Sequence, residues 1–328
     1  MPLHLLLFAL ITFALIRSIP GDPVILVTGG QVDPDQYEQV KAELGLDGSL
    51  LNQLWNYLTG LGSLSLGDSY VTGRAVRSDL FDRLPSTIEL AALAMVGIVL
   101  LALVCSAFAL LRPGNPVSRV LRAYSRTAGA VPDFCIAVTG ILVFYVVLGW
   151  VPAPLGRLDS GLQTPVVVTH FPALDALLGG DGAVIRSMAA HMVLPVAVMV
   201  LAYTPIVSKQ LILGVDQAAG TAQSRFRVST GAPRTTVLLS VYRRAAPSAV
   251  VVGGSLFGSL LGGAVVMESL FSLGGLGQYA VDAVNSNDLP ALQGVLLVTA
   301  AISLLVFLCV DLVNMTLDPR RRPGVRKV

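Results

Sequence analysis

Four ionisable residues fall within or beside long apolar runs: Asp133, His191, Glu268 and Asp311. A titratable group in a membrane span is a functional candidate by default, because burying it in hydrocarbon is costly. All four stand near the ends of their runs, where water or a backbone amide can reach them, so a structural role is favoured for each. Nucleotide chemistry through a phosphate loop is excluded by spacing. That device needs a Gly-Lys-Ser/Thr core, and none of Lys41, Lys209 and Lys327 follows a glycine. His4, His170 and His191 cannot form the zinc motif His-Glu-x-x-His. Cys105, Cys135 and Cys309 are far apart, odd in number and set in apolar runs. They read as small buried hydrophobes rather than as a disulfide framework or a metal cluster.

A second pattern is steric. Gly254, Gly258 and Gly262 recur every fourth residue, with Ser255, Ser259 and Gly263 beside them. On a helix they form a smooth stripe that lets another helix approach closely. The spacing leaves open whether the stripe faces a pore, a partner subunit or its own bundle. The run Gly253-Gly254-Ser255-Leu256 faintly resembles an intramembrane serine protease nucleophile. Such an enzyme needs a base on a neighbouring helix. In that family the histidine comes later in the chain, and none follows His191.

The elements that hold these residues are set by composition. The chain has 328 residues, 54% hydrophobic and 13% charged, with mean hydropathy +0.75. Soluble domains carry about 25% charged residues, so this is an integral membrane chain of all-α class. A span needs about 20 apolar residues. Six candidates emerge: Leu3–Ile19, Thr87–Leu111, Val131–Val151, Met188–Val207, Ala249–Phe271 and Ala291–Met315. A signal peptide is the rival reading of the first. Against it, Arg17-Ser18-Ile19-Pro20 offers no small-residue cleavage site and no basic segment precedes the apolar run.

Orientation follows from the basic residues. Arg112, Arg119, Arg122 and Arg126 lie between spans two and three. Lys209, Arg225, Arg227, Arg234, Arg243 and Arg244 lie between four and five, and Arg320, Arg321, Arg322, Arg326 and Lys327 in the tail. These hold fifteen of the 22 basic residues and, among acids, only Asp216 and Asp318. The positive-inside rule places those links and both termini in the cytoplasm. The expected layout is a first span at 1–20, an extracytoplasmic segment at 21–85 and a core at 86–328. The core contains a cytoplasmic loop at 208–248 and a basic tail at 316–328. Within 21–85, Pro34–Leu46 and Leu50–Leu61 look helical and form a small cap over the outer mouth. A second outer segment, Trp150–Arg186, carries the turn sequences VPAPLG and GLQTP. The basic stretch Arg225–Tyr242 reads as a helix-forming surface that a partner could grip, against the plainer reading of a positive-inside anchor.

The stretches IPGDP (Ile19–Pro23), LGLDGSLLNQLWNYLTGLGSLSLGDSY and RLPSTIEL (Arg83–Leu90) add a further signal. So do GGAVVMESLFSLGGLGQYAVDAVNSNDLPALQGVLLV and VDLVNMTLDPRRR. Together they resemble the B-type permease subunit of the dipeptide/oligopeptide/nickel ABC importers over nearly the whole length. Glu268, Phe271, Gly274, Gly275, Gly277, Asp288, Pro290, Gln293, Gly294, Asp311, Asp318, Pro319 and Arg320 stand where that family's pattern has them. The resemblance also implies a cytoplasmic coupling helix with an E-A-A-then-glycine signature. Gly231 matches its glycine, and Arg244 falls on a basic position of the family. This copy departs from the pattern: Arg225, Phe226 and Arg227 replace Glu-Ala-Ala, Pro247 is displaced from the usual proline, and span one starts almost at Met1.

The resemblance implies a type I importer in a bacterial inner membrane. Two homologous permeases pair to form the path, two ATPase subunits dock below, and a solute-binding protein docks above. ATP and magnesium belong to the ATPases, and no cofactor is assigned to this chain. Lipid surrounds the complex, and nucleic acid has no part. Arg225, Arg227, Gly231, Arg234 and Arg244 are the expected ATPase-coupling residues. Gly254, Gly258, Gly262 and Glu268 are the expected packing or path residues. The expected cargo is a short peptide. A nickel or other small-solute permease of the same family is the alternative. A secondary carrier is a further reading, but it asks for buried paired charges near mid-membrane and repeated halves, and the chain shows neither convincingly.

Overall fold

The computed structural model describes residues 2–18, 23–28, 30, 33–43, 46–127 and 129–317. Thirteen α-helices follow in order among the described residues. The amino-terminal part holds α1 (Pro2–Arg17), α2 (Pro23–Thr28), α3 (Pro34–Glu43) and α4 (Leu50–Gly62). Next come α5 (Val76–Leu111), α6 (Pro116–Tyr124), α7 (Asp133–Gly140) and α8 (Pro172–Gly179). Then follow α9 (Gly182–Ala219), α10 (Ala222–Ser229), α11 (Arg234–Phe271), α12 (Leu276–Asn285) and α13 (Leu289–Leu317). A π-helical turn, Ile141–Val147, extends α7.

Among the described residues four helices, α5, α9, α11 and α13, are long and apolar enough to cross a membrane. The first and third expected spans coincide with the shorter apolar helices Leu3–Leu15 and Asp133–Val147. At 1.5 Å per residue the 16 residues of α1 reach only about 24 Å, less than a bilayer core of about 30 Å. Helix α11 is the opposite case. Its 38 residues run about 57 Å, well beyond a hydrocarbon core of about 30 Å. The basic stretch from Arg234 to Arg244 supplies much of the extra length. The expected loop at 208–248 is therefore the end of α9, the short α10 and the first turns of α11.

Two other boundaries shift. Helix α5 begins at Val76, so the boundary expected at residue 85 falls inside it, with Pro85 buried in its third turn. Helix α9 begins at Gly182, where the Asp181 carboxylate caps it by accepting from the amides of Ala183 (2.8 Å) and Val184 (3.4 Å). His191 therefore lies on the third turn of α9 rather than at a helix start. Of the family segment Ile19–Pro23, residues 19–22 lie outside the described residues.

The main core lies where α5, α7, α9 and α11 meet. Leu90, Ile98, Met199, Leu260 and Met267 are fully buried there. A second cluster joins the start of α5 to α12 and α13 through Val76, Leu80, Tyr279 and Ala291. A third joins α9 to the first turns of α11 through Leu211, Val215, Val241 and Ala245. Pro205 in α9 breaks a hydrogen bond that a neighbour repairs. Pro205 has no N–H to offer the Leu201 carbonyl, and the Tyr124 hydroxyl from α6 donates to that oxygen at 2.8 Å. The Arg122 guanidinium adds a second tie, donating to Asp216 on α9 at 2.8 and 3.2 Å and to the Ala109 carbonyl at 2.9 Å.

Candidate functional site

Helix α11 connects two unlike ends. At its amino end lies the basic junction with α10. Thr221 caps α10 by accepting from the Ser224 amide. The helix closes with the Gly231 amide on the Val228 carbonyl (3.1 Å) and the Ala232 amide on that of Arg227 (3.0 Å). Gly231 sits at φ +75°, in the left-handed region. A residue without Cβ adopts this conformation at no steric cost, and it commonly ends helices. Pro233 then leads into α11. The stretch Arg225–Tyr242, expected as one helical surface, is thus two helices with a turn at Gly231–Pro233.

Arg225, Arg227 and Arg234 are exposed at this junction, and so are Phe226 (68%) and Val228. Large apolar side chains thus stand exposed beside cations in a short helix. Arg244 behaves differently. Its guanidinium turns inward and donates to Thr221 Oγ1 (2.7 Å), Gln223 Oε1 (3.1 Å) and Ser224 Oγ. Its Nε holds the Ser240 carbonyl at 3.1 Å. Arg244 therefore braces α10 against α11.

At the other end of α11 the backbone wraps around one carboxyl group. Glu268 is fully buried. Its oxygens accept from the Thr87 hydroxyl, the Gly277 amide (2.6 Å) and the Gln278 amide (3.3 Å). Thr87 Oγ1 in turn accepts from the Leu276 amide at 2.8 Å. One carboxyl thus fastens α11, α5 and the start of α12, and backbone amides reach it as its position near the span end suggested. The glycines of the turn exist to let this happen. A Cβ on Gly275 would collide with the Glu268 carboxyl, and one on Gly277 with the Val265 backbone. Gly274 supplies the turn itself at φ +70°.

The glycine stripe has two regimes. A Cβ on Gly254 would collide with Val310, so α13 of the same chain occupies that close approach. At Gly258 the nearest atom is Ser303 Oγ at 4.0 Å, and at Gly262 nothing lies within 4 Å. Gly262 lines a cleft of about 410 Å³ between α11 and α13. Asp133 begins α7 and accepts from the Tyr203 hydroxyl at 2.9 Å. His191 is buried, with Nδ1 at 2.8 Å from the Ser187 carbonyl. Asp311 is exposed on α13, and Asp318 lies outside the described residues.

The model of the binding-protein-dependent transport system inner membrane component matches residues 98–323. The model of the N-terminal region of such membrane components matches residues 2–91. The chain belongs to this permease family. A probable D,D-dipeptide transport system permease protein of Escherichia coli K12 is 32% identical over 312 residues, covering 94% of this chain and 91% of that protein. A di/tripeptide transport system permease protein of Pseudomonas aeruginosa UCBPP-PA14 is 31% identical over 315 residues, 95% of this chain and 93% of that one. The dipeptide transport system permease protein of Escherichia coli K12 is 29% identical over 318 residues, with the same coverage. A solved amino acid ABC transporter aligns at TM-score 0.47 and 15% identity over 74% of this chain and 94% of that one, too weak a likeness to argue from. The permease is a multi-pass component of the inner membrane and not an enzyme, and it belongs to a system with a binding protein and ATPase partners.

Several residues that hold the permease together carried no role in the sequence. Asp288 accepts from the Ala291 amide at the start of α13 and from Ser69 Oγ and the Tyr70 amide (3.2 Å), so two family segments grip each other. Thr87 and Ser86 sit inside the quoted RLPSTIEL segment, whose hydroxyls gave no hint of a partner. Arg157, in an outer proline- and glycine-rich stretch, has a side chain only 10% exposed. A basic residue inside turn chemistry next to an apolar run was the available signal.

Proposed function

We propose that this permease forms half of the translocation path of an ATP-driven importer of short peptides, moved by separate ATPases through the α10–α11 junction. The observation that carries the reading is the continuity of α11. One helix runs from an exposed basic and aromatic junction to the Glu268 turn at the far end. In this reading the junction faces the cytoplasm, as the basic links argue, and both termini lie on that side. Two ATPase subunits dock on α10 of this chain and of a second homologous permease, and a solute-binding protein sits on the opposite face. Closure of the ATPases pushes α10, Arg244 passes the displacement to α11, and the path alternates between outward and inward access. Such a change is a population shift driven by differential binding of ATP to the two states.

A peptide cargo is supported by the relatives, whose names specify dipeptides, D,D-dipeptides and di- or tripeptides. The path reads the backbone of the cargo, and selection rests with the binding protein. The test is uptake by the assembled complex of a peptide length series beside a nickel control. ATP-dependent uptake of short peptides supports the reading. Uptake of nickel alone reassigns the cargo within the family, and uptake without ATPases overturns the coupling.

A further inference from the structure

The loop between α7 and α8 is fastened to the far end of α11 by one buried cation. Arg157 Nη2 donates to Ser86 Oγ (2.7 Å) and to the Ser86 carbonyl (3.0 Å) on α5. Its Nε donates to the Leu273 carbonyl at 3.2 Å, inside the turn that encloses Glu268, and Nη1 meets Glu89 Oε1 at 3.3 Å. The Ser86 hydroxyl reaches the same Leu273 carbonyl at 3.1 Å. Next to it, the Gly156 amide donates to the Phe271 carbonyl at 3.0 Å. Glu89 uses its other oxygen to accept from the Ala173 amide of α8 at 3.1 Å. The guanidinium thus ties the loop to α5 and to the turn after α11, and the neighbouring Gly156 amide holds the last carbonyl of α11.

Beyond this anchor the same loop turns its apolar residues outward. Leu155, Val166, Val167 and Val168 are each well over half exposed. Arg157 itself forms part of the wall of a 560 Å³ cleft with Asp82, Thr164, Val167, His170 and Asp175. The loop is therefore an exposed apolar handle whose root is hydrogen-bonded into the Glu268 turn. A buried Arg fork with several acceptors is a rigid connection, because its planar donors are fixed relative to one another. Burial lowers the Arg157 pKa and Glu89 opposes the shift.

We propose that Arg157 is a positioning residue that carries the docking of the binding protein on the 155–168 loop into the end of α11. This rests on the orientation given under Proposed function, which puts that loop on the binding-protein side. The segment Val166–Val168 is the contact, and Arg157 is the link between contact and helix. A loop displaced by its partner pulls on the Leu273 and Phe271 carbonyls, and α11 passes that pull toward the α10 junction. The purely structural alternative makes Arg157 a staple that holds the loop and nothing more.

The test uses the assembled permease–ATPase complex in lipid, with ATP hydrolysis measured against the concentration of cargo-loaded binding protein. Arg157→Gln keeps length and polarity but loses the charged fork. The expected result is basal hydrolysis as in the parent, an unchanged half-saturating concentration of binding protein, and maximal stimulation cut at least fivefold. Val167→Asp lies on the exposed segment and leaves the fold intact. It is expected to raise the half-saturating concentration tenfold or more while leaving the maximum. Parental stimulation in Arg157→Gln overturns the proposal. If that variant does not assemble, Val167→Asp decides, and a parental concentration dependence overturns the docking surface and the proposal with it. A parent complex that forms without any stimulation by the binding protein defeats the orientation under Proposed function instead, which keeps the two failures apart.

Discussion

Gly277→Ala is the substitution whose cost the structure fixes best. The added methyl would collide with Val265 Cα and stand 2.9 Å from both the Val265 amide and Glu268 Oε2. Backbone cannot yield as a side-chain tip does, so α12 must move off α11. Overpacking of this kind costs about 1–3 kcal/mol. The movement also lengthens the 2.6 Å bond from the Gly277 amide to Glu268, worth about 1–3 kcal/mol in a buried site. A loss of roughly 2–6 kcal/mol follows, with Glu268 left short of a donor. Gly262→Ala is the matched control. Nothing lies within 4 Å of its Cβ position, and replacing a mid-helix glycine by alanine gains about 0.5–1 kcal/mol. Thermal unfolding of the detergent-solubilised chain should show Gly277→Ala far below the parent and Gly262→Ala at or above it. Equal midpoints for the two variants would refute the carboxyl clasp as the element that orders this end.

The remaining predictions concern the other end and its supports. Arg244→Ala removes three hydrogen bonds to α10, a loss of about 2–3 kcal/mol at roughly 1 kcal/mol each. It should lower uptake per ATP hydrolysed in the reconstituted complex while ATPase subunits still co-purify. Arg244→Lys should recover little, because an ammonium cannot fork. Gly231→Val forces a β-branched residue to φ +75°, costing about 1–2 kcal/mol or more. Uptake should be abolished with co-purification partly retained, and parental uptake would count against α10 as the lever. Tyr124 gives a pH prediction: burial holds its hydroxyl neutral and pushes its pKa up to about 12 from 10.0. The folded state keeps the proton longer than the unfolded chain, so this contribution is intact below about pH 10 and is lost as pH rises toward 12. In matched alkaline melts Tyr124→Phe should lose less stability over that window than the parent, from a lower starting point because the Leu201 carbonyl loses its donor.

Hydrophobic run length made the long helices legible, since α5, α9, α11 and α13 each contain an apolar stretch that no soluble domain would carry. Their true lengths were not legible. Arg234 to Tyr242 reads as a helix-forming part of a separate cytoplasmic loop, yet it continues α11, with Val237 and Val241 packed beside Leu211 and Val215 of α9 and Arg234 exposed. Gly231-Ala232-Pro233 held the break between α10 and α11 in plain view, as a left-handed cap followed by a proline. At the Glu268 end the motif residues were recognised from family resemblance, but their purpose was not. Thr87, which donates to Glu268, and Arg157, which holds the Leu273 carbonyl of the same turn, lie far from Glu268 in sequence, and such long-range pairings leave no local period. The glycine stripe shows the same limit, since spacing alone cannot say that Gly254 meets Val310 while Gly262 meets open space.

In the proposed mechanism the permease moves nothing by itself and is driven through α10. Liposomes holding the permease pair with and without its ATPase subunits, supplied with loaded binding protein and internal ATP, test it most directly. The account predicts peptide accumulation only in the vesicles that contain the ATPases, and none in those when Gly231→Val replaces the parent. Accumulation by permease-only vesicles, or undiminished accumulation with Gly231→Val, would contradict it.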